Sequence, residues 1–189
     1  MYKCLLAWLS VVGLATAACA QQNRSMSDTQ PKKKILVAYF SATGTTARAA
    51  GKVAEATGGE LYAITPAKPY TDADLDWHDR RSRSSVEMSD PQSRPEIRNP
   101  KRDIAQYDVV FIGYPIWWNL APRVINSFIE CHDLNGKTVI PFATSGGSGL
   151  TNSAAALKRE YPGLNWKQGR LLNRTGEASI KEWLGQSGI

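Results

Sequence analysis

The run Lys34-Ile35-Leu36-Val37-Ala38-Tyr39-Phe40 is apolar at nearly every position and stops abruptly at Ser41-Ala42-Thr43-Gly44-Thr45-Thr46. A strand with one wet face alternates polar and apolar residues. This run does not, so it reads as a strand covered on both faces, as in a parallel sheet between helices. The pattern returns at Asp108-Val109-Val110-Phe111-Ile112-Gly113 and at Thr138–Thr144. Glu60–Thr65 is a weaker strand candidate and Trp166–Leu172 the last one. Helices are expected between them. Thr45–Thr57 carries Ala49, Ala50, Val53 and Ala54 on one side, and Pro122–Cys131 is opened by its proline. Asn152–Glu160 follows, capped by Thr151 or Asn152, and Glu177–Leu184 closes the chain after Thr175 or Gly176. Strands alternating with helices at this spacing predict an α/β sheet with right-handed crossovers.

One stretch breaks the rhythm. Residues 66–106 hold eight basic and eight acidic side chains with few apolar ones, so they read as a surface excursion, with a short helix expected around Asp74–Val86. His78 lies in this excursion and is expected to be solvated.

The chain has 189 residues, enough for one domain, or one domain and a leader. Its formal charge of +6 is basic, yet no Lys/Arg block exceeds Lys32-Lys33-Lys34 and no nucleic-acid-binding pattern appears. Cys4, Cys19 and Cys131 make neither a disulfide framework nor a zinc site.

Residues 1–20 have the order of a secretory signal peptide: Lys3, an apolar run from Cys4 to Ala15, then small residues. Ala18-Cys19-Ala20 fits an A-x-A cleavage site. Thr16-Ala17-Ala18-Cys19 is a looser fit to a lipoprotein box, which would put a lipid anchor on Cys19. The competing reading is a start at Met26, which would make the protein cytoplasmic. Residues 21–33 read as a flexible polar tether. Without residues 1–20, 22 basic and 17 acidic residues remain, a charge of about +5. The expected location is the periplasm, or the envelope by membrane anchor. The leader lacks a twin-arginine pair, so a cofactor would be captured outside the cytoplasm.

Three strands end in unusual loops, and a parallel sheet brings all three to one edge, where ligands bind in open α/β sheets. Ser41-Ala42-Thr43-Gly44-Thr45-Thr46 offers hydroxyls, a glycine and a helix N-terminus, which together favour an anion. It has neither the Walker spacing nor GxGxxG, so a terminal phosphate monoester suits it better than a nucleotide polyphosphate. An ordinary hydroxyl-rich cap is the bland alternative. In Gly113-Tyr114-Pro115-Ile116-Trp117-Trp118-Asn119, two adjacent tryptophans suggest a stacking surface for a flat ring. Neighbouring side chains point apart, so one of the two is expected in the core. Thr144-Ser145-Gly146-Gly147-Ser148-Gly149 offers backbone contacts to a polar ring edge.

Ser41-x-Thr43-Gly44-x-Thr46 after a buried strand resembles the flavodoxin phosphate loop, [ST]-x-T-G-x-T. The run Gly113 to Trp118, with Pro122 and the Thr144–Gly149 loop, is similar to a bacterial flavodoxin-like subfamily with a GYPIWW loop. The resemblance spans residues 34–185. It implies a doubly wound five-stranded parallel sheet in the order 2-1-3-4-5 and one bound FMN at its switch point. It further implies that Ser41, Thr43, Gly44, Thr45 and Thr46 hold the phosphate. Pro115, Ile116, Trp117 and Trp118 would line and stack on the isoalloxazine, with Trp118 favoured for stacking. Ser145, Gly146 and Gly147 would pass its far edge. Asn119 stands where the subfamily has glycine; asparagine is the next best residue for positive φ. The chain is also basic where electron-carrying flavodoxins are acidic.

The leading expectation is an electron carrier working through noncovalent FMN with a redox partner protein or a small-molecule donor or acceptor. The alternatives are an FMN-dependent NAD(P)H or quinone oxidoreductase, and a binding module without redox function. Among other residues, Arg48 faces either solvent or phosphate, and Arg94 is a candidate cation near the flavin. Cys131 is expected to be a buried structural cysteine, with His132 as a cation suited to a helix end.

Overall fold

The computed structural model describes residues 33–189. The leader expected at 1–20, Cys19 and Met26, and the tether up to residue 32 lie outside the described residues.

Ile35–Tyr39 (β1), Glu60–Ala63 (β2), Val109–Pro115 (β3) and Thr138–Thr144 (β4) form a parallel sheet in the order β2-β1-β3-β4. Two short segments, Asn165–Trp166 (β5) and Arg170–Leu171 (β6), share the fifth position beside β4. Read as one interrupted strand, they complete the order 2-1-3-4-5 that the resemblance implies.

The interruption has a cause in β4. Val139 accepts a hydrogen bond from the Lys167 amide (2.9 Å) and Ala143 one from the Leu172 amide (2.8 Å). Alternate residues of β4 therefore turn their backbone groups toward the fifth position. Pro141 lies between these two and has no N–H to offer. Opposite it, three residues of the edge strand span two of β4, since Val139 pairs with Trp166 and Phe142 with Arg170. This is a bulge.

Thr45–Thr57 (α1) and Glu177–Gln186 (α5) cover one face, and Arg123–Glu130 (α3) and Leu150–Glu160 (α4) the other. Strand residues divide by alternation. Val37, Phe111 and Phe142 face α1 and α5, while Ala38, Ile112 and Tyr114 face α3 and α4. That two-sided burial is why these strands read as unbroken apolar runs.

The excursion leaves at Pro66 and returns at Ile97, which pair as an antiparallel bridge. Its helix is Arg83–Ser89 (α2), later than the expected Asp74–Val86, and only a 3₁₀ turn occupies Ala73–Leu75. The Ser82 hydroxyl sets the start by accepting from the Ser85 amide, a side-chain cap that Asp74 does not provide. Helix α4 also departs from expectation. It begins at Leu150 behind Gly149, with no side-chain cap from Thr151 or Asn152.

Arg94 is not near the three loops. It bridges Glu130 and Glu160, both at 2.8 Å, at the C-terminal ends of α3 and α4 and so at the opposite edge of the sheet. Two carboxylates on converging helix ends hold it there. Cys131 is exposed rather than buried, because it caps α3 where the chain turns outward. His132 Nδ1 meets the Phe128 carbonyl oxygen at 2.7 Å, in the final turn of α3.

Candidate functional site

The β1–α1, β3–α3 and β4–α4 loops gather at the C-terminal edge of the sheet and touch one another. In the first, Gly44 caps α1 at φ 84°, a left-handed conformation that costs glycine nothing. No side chain caps α1, so the amides of its first turn point outward without an intrahelical partner. The Ser41 hydroxyl is buried and has no hydrogen-bond partner among the described residues. Thr43 and Thr45 are exposed, while Thr46 is buried with its hydroxyl 2.8 Å from that of Thr144. Arg48 reaches back to donate to the Thr45 hydroxyl at 3.3 Å, which brings a cation beside the loop.

The second loop is a tight turn. Trp117 and Leu120 exchange both backbone hydrogen bonds, at 3.0 and 2.8 Å. Trp118 (φ 46°) and Asn119 (φ 61°) both lie in the left-handed region, which makes this a type I′ turn. Asparagine tolerates that conformation. Tryptophan does not do so readily, and a bulky residue there stores strain of about 1–3 kcal/mol. The turn separates the two indoles. Trp117 packs edge-on against Phe40 (5.6 Å) and Tyr70 (5.4 Å), while Trp118 is 46% exposed. Ile116 is partly buried against the core, and its amide donates to the Thr144 carbonyl at 2.8 Å. Pro115 pairs in register with Thr144.

The third loop is clamped by a residue that the sequence did not single out. Asn173 accepts from the Ser145 amide (2.7 Å) and donates to the Ser145 carbonyl (2.8 Å). The Ser145 hydroxyl accepts from the Ser148 and Gly147 amides, and Gly146 and Gly147 are exposed. The only sequence signal for Asn173 is its place after the last strand, on this same edge. Tyr70 was missed as well. It lies in the excursion, where Arg83 stacks on its ring at 4.2 Å and its hydroxyl donates to Glu87. Burial, then the Glu87 contact, raise the Tyr70 phenol above its ordinary range.

The arrangement suits a phosphate monoester joined to a flat ring. An unpartnered buried hydroxyl and uncapped helix amides want an anion with several acceptor oxygens. No acidic side chain stands in residues 41–46, 115–119 or 145–149 to oppose one.

The flavodoxin family model matches residues 34–187. No curated protein matches the chain. A candidate flavoprotein of Bacteroides eggerthii DSM 20697 is 68% identical over 83% of this chain and 99% of its own, with a TM-score of 0.82. One from Bacteroides uniformis ATCC 8492 is 61% identical over 81% and 98%, with a TM-score of 0.79. A flavoprotein of Lactobacillus acidophilus NCFM, solved in complex with FMN, shares the fold at 22% identity over 83% and 99%, with a TM-score of 0.67. By its sheet order, its three loops and the extent of the family match, the chain belongs to the flavodoxin family.

Proposed function

We propose that the protein binds FMN noncovalently at the C-terminal edge of its sheet and carries or exchanges electrons through it. The observation that carries this reading is the first loop, where a buried, unpartnered Ser41 hydroxyl lies at the start of a helix that no side chain caps. Ser41, Thr43, Gly44, Thr45 and Thr46 hold the phosphate. Pro115 and Ile116 line the ring, Trp118 stacks on it, and the Ser145–Gly147 backbone meets its far edge. Trp117 acts from behind as a wedge between Phe40 and Tyr70. The flavin supplies the redox chemistry when bound. The chain binds it, orients it and shields one face from water, work for which no side chain need act as acid, base or nucleophile. The Lactobacillus acidophilus complex with FMN supports the ligand, and the run Gly113 to Trp118 supports placement in the GYPIWW-loop branch.

The partner is a redox protein or a small-molecule donor or acceptor. The signal-like leader supports export, either to the periplasm after cleavage behind Ala20 or to the envelope with Cys19 as a lipid anchor. Fractionation that recovers protein still beginning at Met1 or Met26 in the cytosol would overturn that location. The function is tested by the visible absorption spectrum of the purified protein before and after FMN is added. Flavin bands that shift and stay with the protein through gel filtration are expected. An unshifted spectrum with free FMN would contradict the reading.

A further inference from the structure

Beside Trp118 the excursion opens a cleft of about 560 Å³, within the range of small-molecule sites. Trp77, His78 and Arg80 line it from the excursion and Trp118 from the I′ turn, with Ser85, Met88 and Ser89 of α2. Its aromatic surface is unusual. Trp77 is 66% exposed and Trp118 46%, so two large indoles that folding would hide are turned toward the same space. The His78 ring lies against Trp77, with centroids 3.5 Å apart. The exposure of Trp118 is also held against strain. Its φ of 46° is costly for a bulky residue, and the paired Trp117–Leu120 hydrogen bonds keep it there. Strain that turns an indole outward into a cleft does nothing for the core.

The charges in the cleft are one-sided. Arg80 lines it and makes no ion pair among the described residues. No lining residue is acidic. Of the two carboxylates nearest in sequence, Asp79 is engaged with Arg81 at 3.3 Å, and Asp76, which does not line the cleft, is engaged with the lining His78 at 3.3 Å. A flat apolar molecule gains stacking on indole faces. A negative group on it gains a guanidinium, whose fork of N–H donors binds two oxygens of one oxyanion at once.

We propose that this cleft binds a planar aromatic anion of two or three fused rings, stacked on the Trp77–His78 pair with its anionic group at Arg80 and with Trp118 as the wall that separates it from the flavin. That this ligand lies beside a flavin rests on the FMN reading; that it binds does not. Apart from Trp118, the lining comes from the excursion and not from the three loops that hold the cofactor.

Anthraquinone-2-sulfonate serves as the probe, titrated by calorimetry into FMN-free and FMN-loaded protein. Saturable one-to-one binding to both forms is expected. Trp77→Ala and Arg80→Gln should each weaken it at least fivefold while leaving FMN affinity unchanged. Because the protein is basic, Arg102→Gln, an exposed cation outside the cleft, is the control and should change neither. Uncharged 2-methyl-1,4-naphthoquinone should respond to Trp77→Ala but not to Arg80→Gln. Absence of binding, or equal binding by wild type and both cleft variants, would overturn the proposal. So would competition between FMN and the sulfonate, or a loss of FMN affinity in Trp77→Ala, since either would make the cleft part of the flavin site. Sulfonate binding that survives in a protein unable to hold FMN would sustain this proposal and overturn the flavin reading instead.

Discussion

The side-chain hydroxyls of Thr46 and Thr144 meet at 2.8 Å in the interior, although 98 positions separate them. Thr46 lies in the first turn of α1 at the end of the first loop and Thr144 ends β4 before the third, so one bond ties two of the three loops. Both residues are buried. Replacing either by valine strands the other hydroxyl, which should cost about 1–3 kcal/mol of stability. The double variant strands neither, so its loss should be smaller than the sum of the singles. Urea unfolding of the four proteins measures this, and strict additivity would show that the two hydroxyls do not act as a pair.

Gly113 lies under the ring of Phe142, its register partner on β4. A Cβ at Gly113 would fall 2.2 Å from Phe142 Cζ, and both residues are buried. Gly113→Ala should therefore destabilise by about 1–3 kcal/mol through overpacking. Phe142→Leu in the same chain should recover part of that loss. A Gly113→Ala midpoint equal to wild type in urea would contradict the packing.

Trp118 separates strain from stacking. Trp118→Gly removes both the indole and the penalty of its left-handed backbone, whereas Trp118→Ala removes the indole and keeps most of the penalty. The glycine variant should be the more stable of the two by about 1 kcal/mol. Both should bind FMN more weakly by about 0.5–1.5 kcal/mol, the value of an aromatic stacking contact. Both should also raise the hydroquinone potential, since an indole over the ring disfavours the electron-rich anion. Unchanged flavin fluorescence and potential in both variants would place the ring elsewhere.

The sequence carried the sheet well because burial on both faces leaves a signature no one-sided strand can mimic. The runs at Lys34, Asp108 and Thr138 each became a strand at nearly the expected bounds. The loops at their ends were legible for the same reason, since parallel strands deliver their C-termini to one edge. The excursion was not legible, because local charge balance says nothing of long-range partners. Arg94 goes to Glu130 and Glu160, and Tyr70 to Trp117, through contacts that no spacing encodes. Asn119 hinted at a left-handed backbone. The order of the loop favoured Trp118 as the outward indole, but nothing in the letters said that it would share the left-handed backbone, so the reason for its exposure came only with the turn.

The Arg94 bridge gives a pH dependence. The Arg94 hydrogen bond holds the Glu130 carboxyl below its ordinary value of 4.5. A carboxyl with a lowered folded-state pKa stabilises above its unfolded value and loses that contribution as pH falls through the folded one. Arg94→Gln should therefore be less stable than wild type at neutral pH. The gap should shrink as pH drops below about 4.5, toward the constant part due to lost bonds with the Pro91 and Ser93 carbonyls. Thermal unfolding at stepped pH reads this, and a gap that widens on acidification would contradict the pairing.

Ser41–Thr46 acts as a phosphate cradle, and calorimetry of FMN against riboflavin, which differ only in the phosphate, weighs that cradle alone. Hydrogen bonds to a charged group are worth about 1.5–3 kcal/mol each, and the loop offers several. FMN should therefore bind at least about tenfold more tightly than riboflavin, since tenfold corresponds to about 1.4 kcal/mol. Ser41→Ala should narrow that gap by removing the buried hydroxyl that has no partner among the described residues. Equal affinities for FMN and riboflavin would contradict the account.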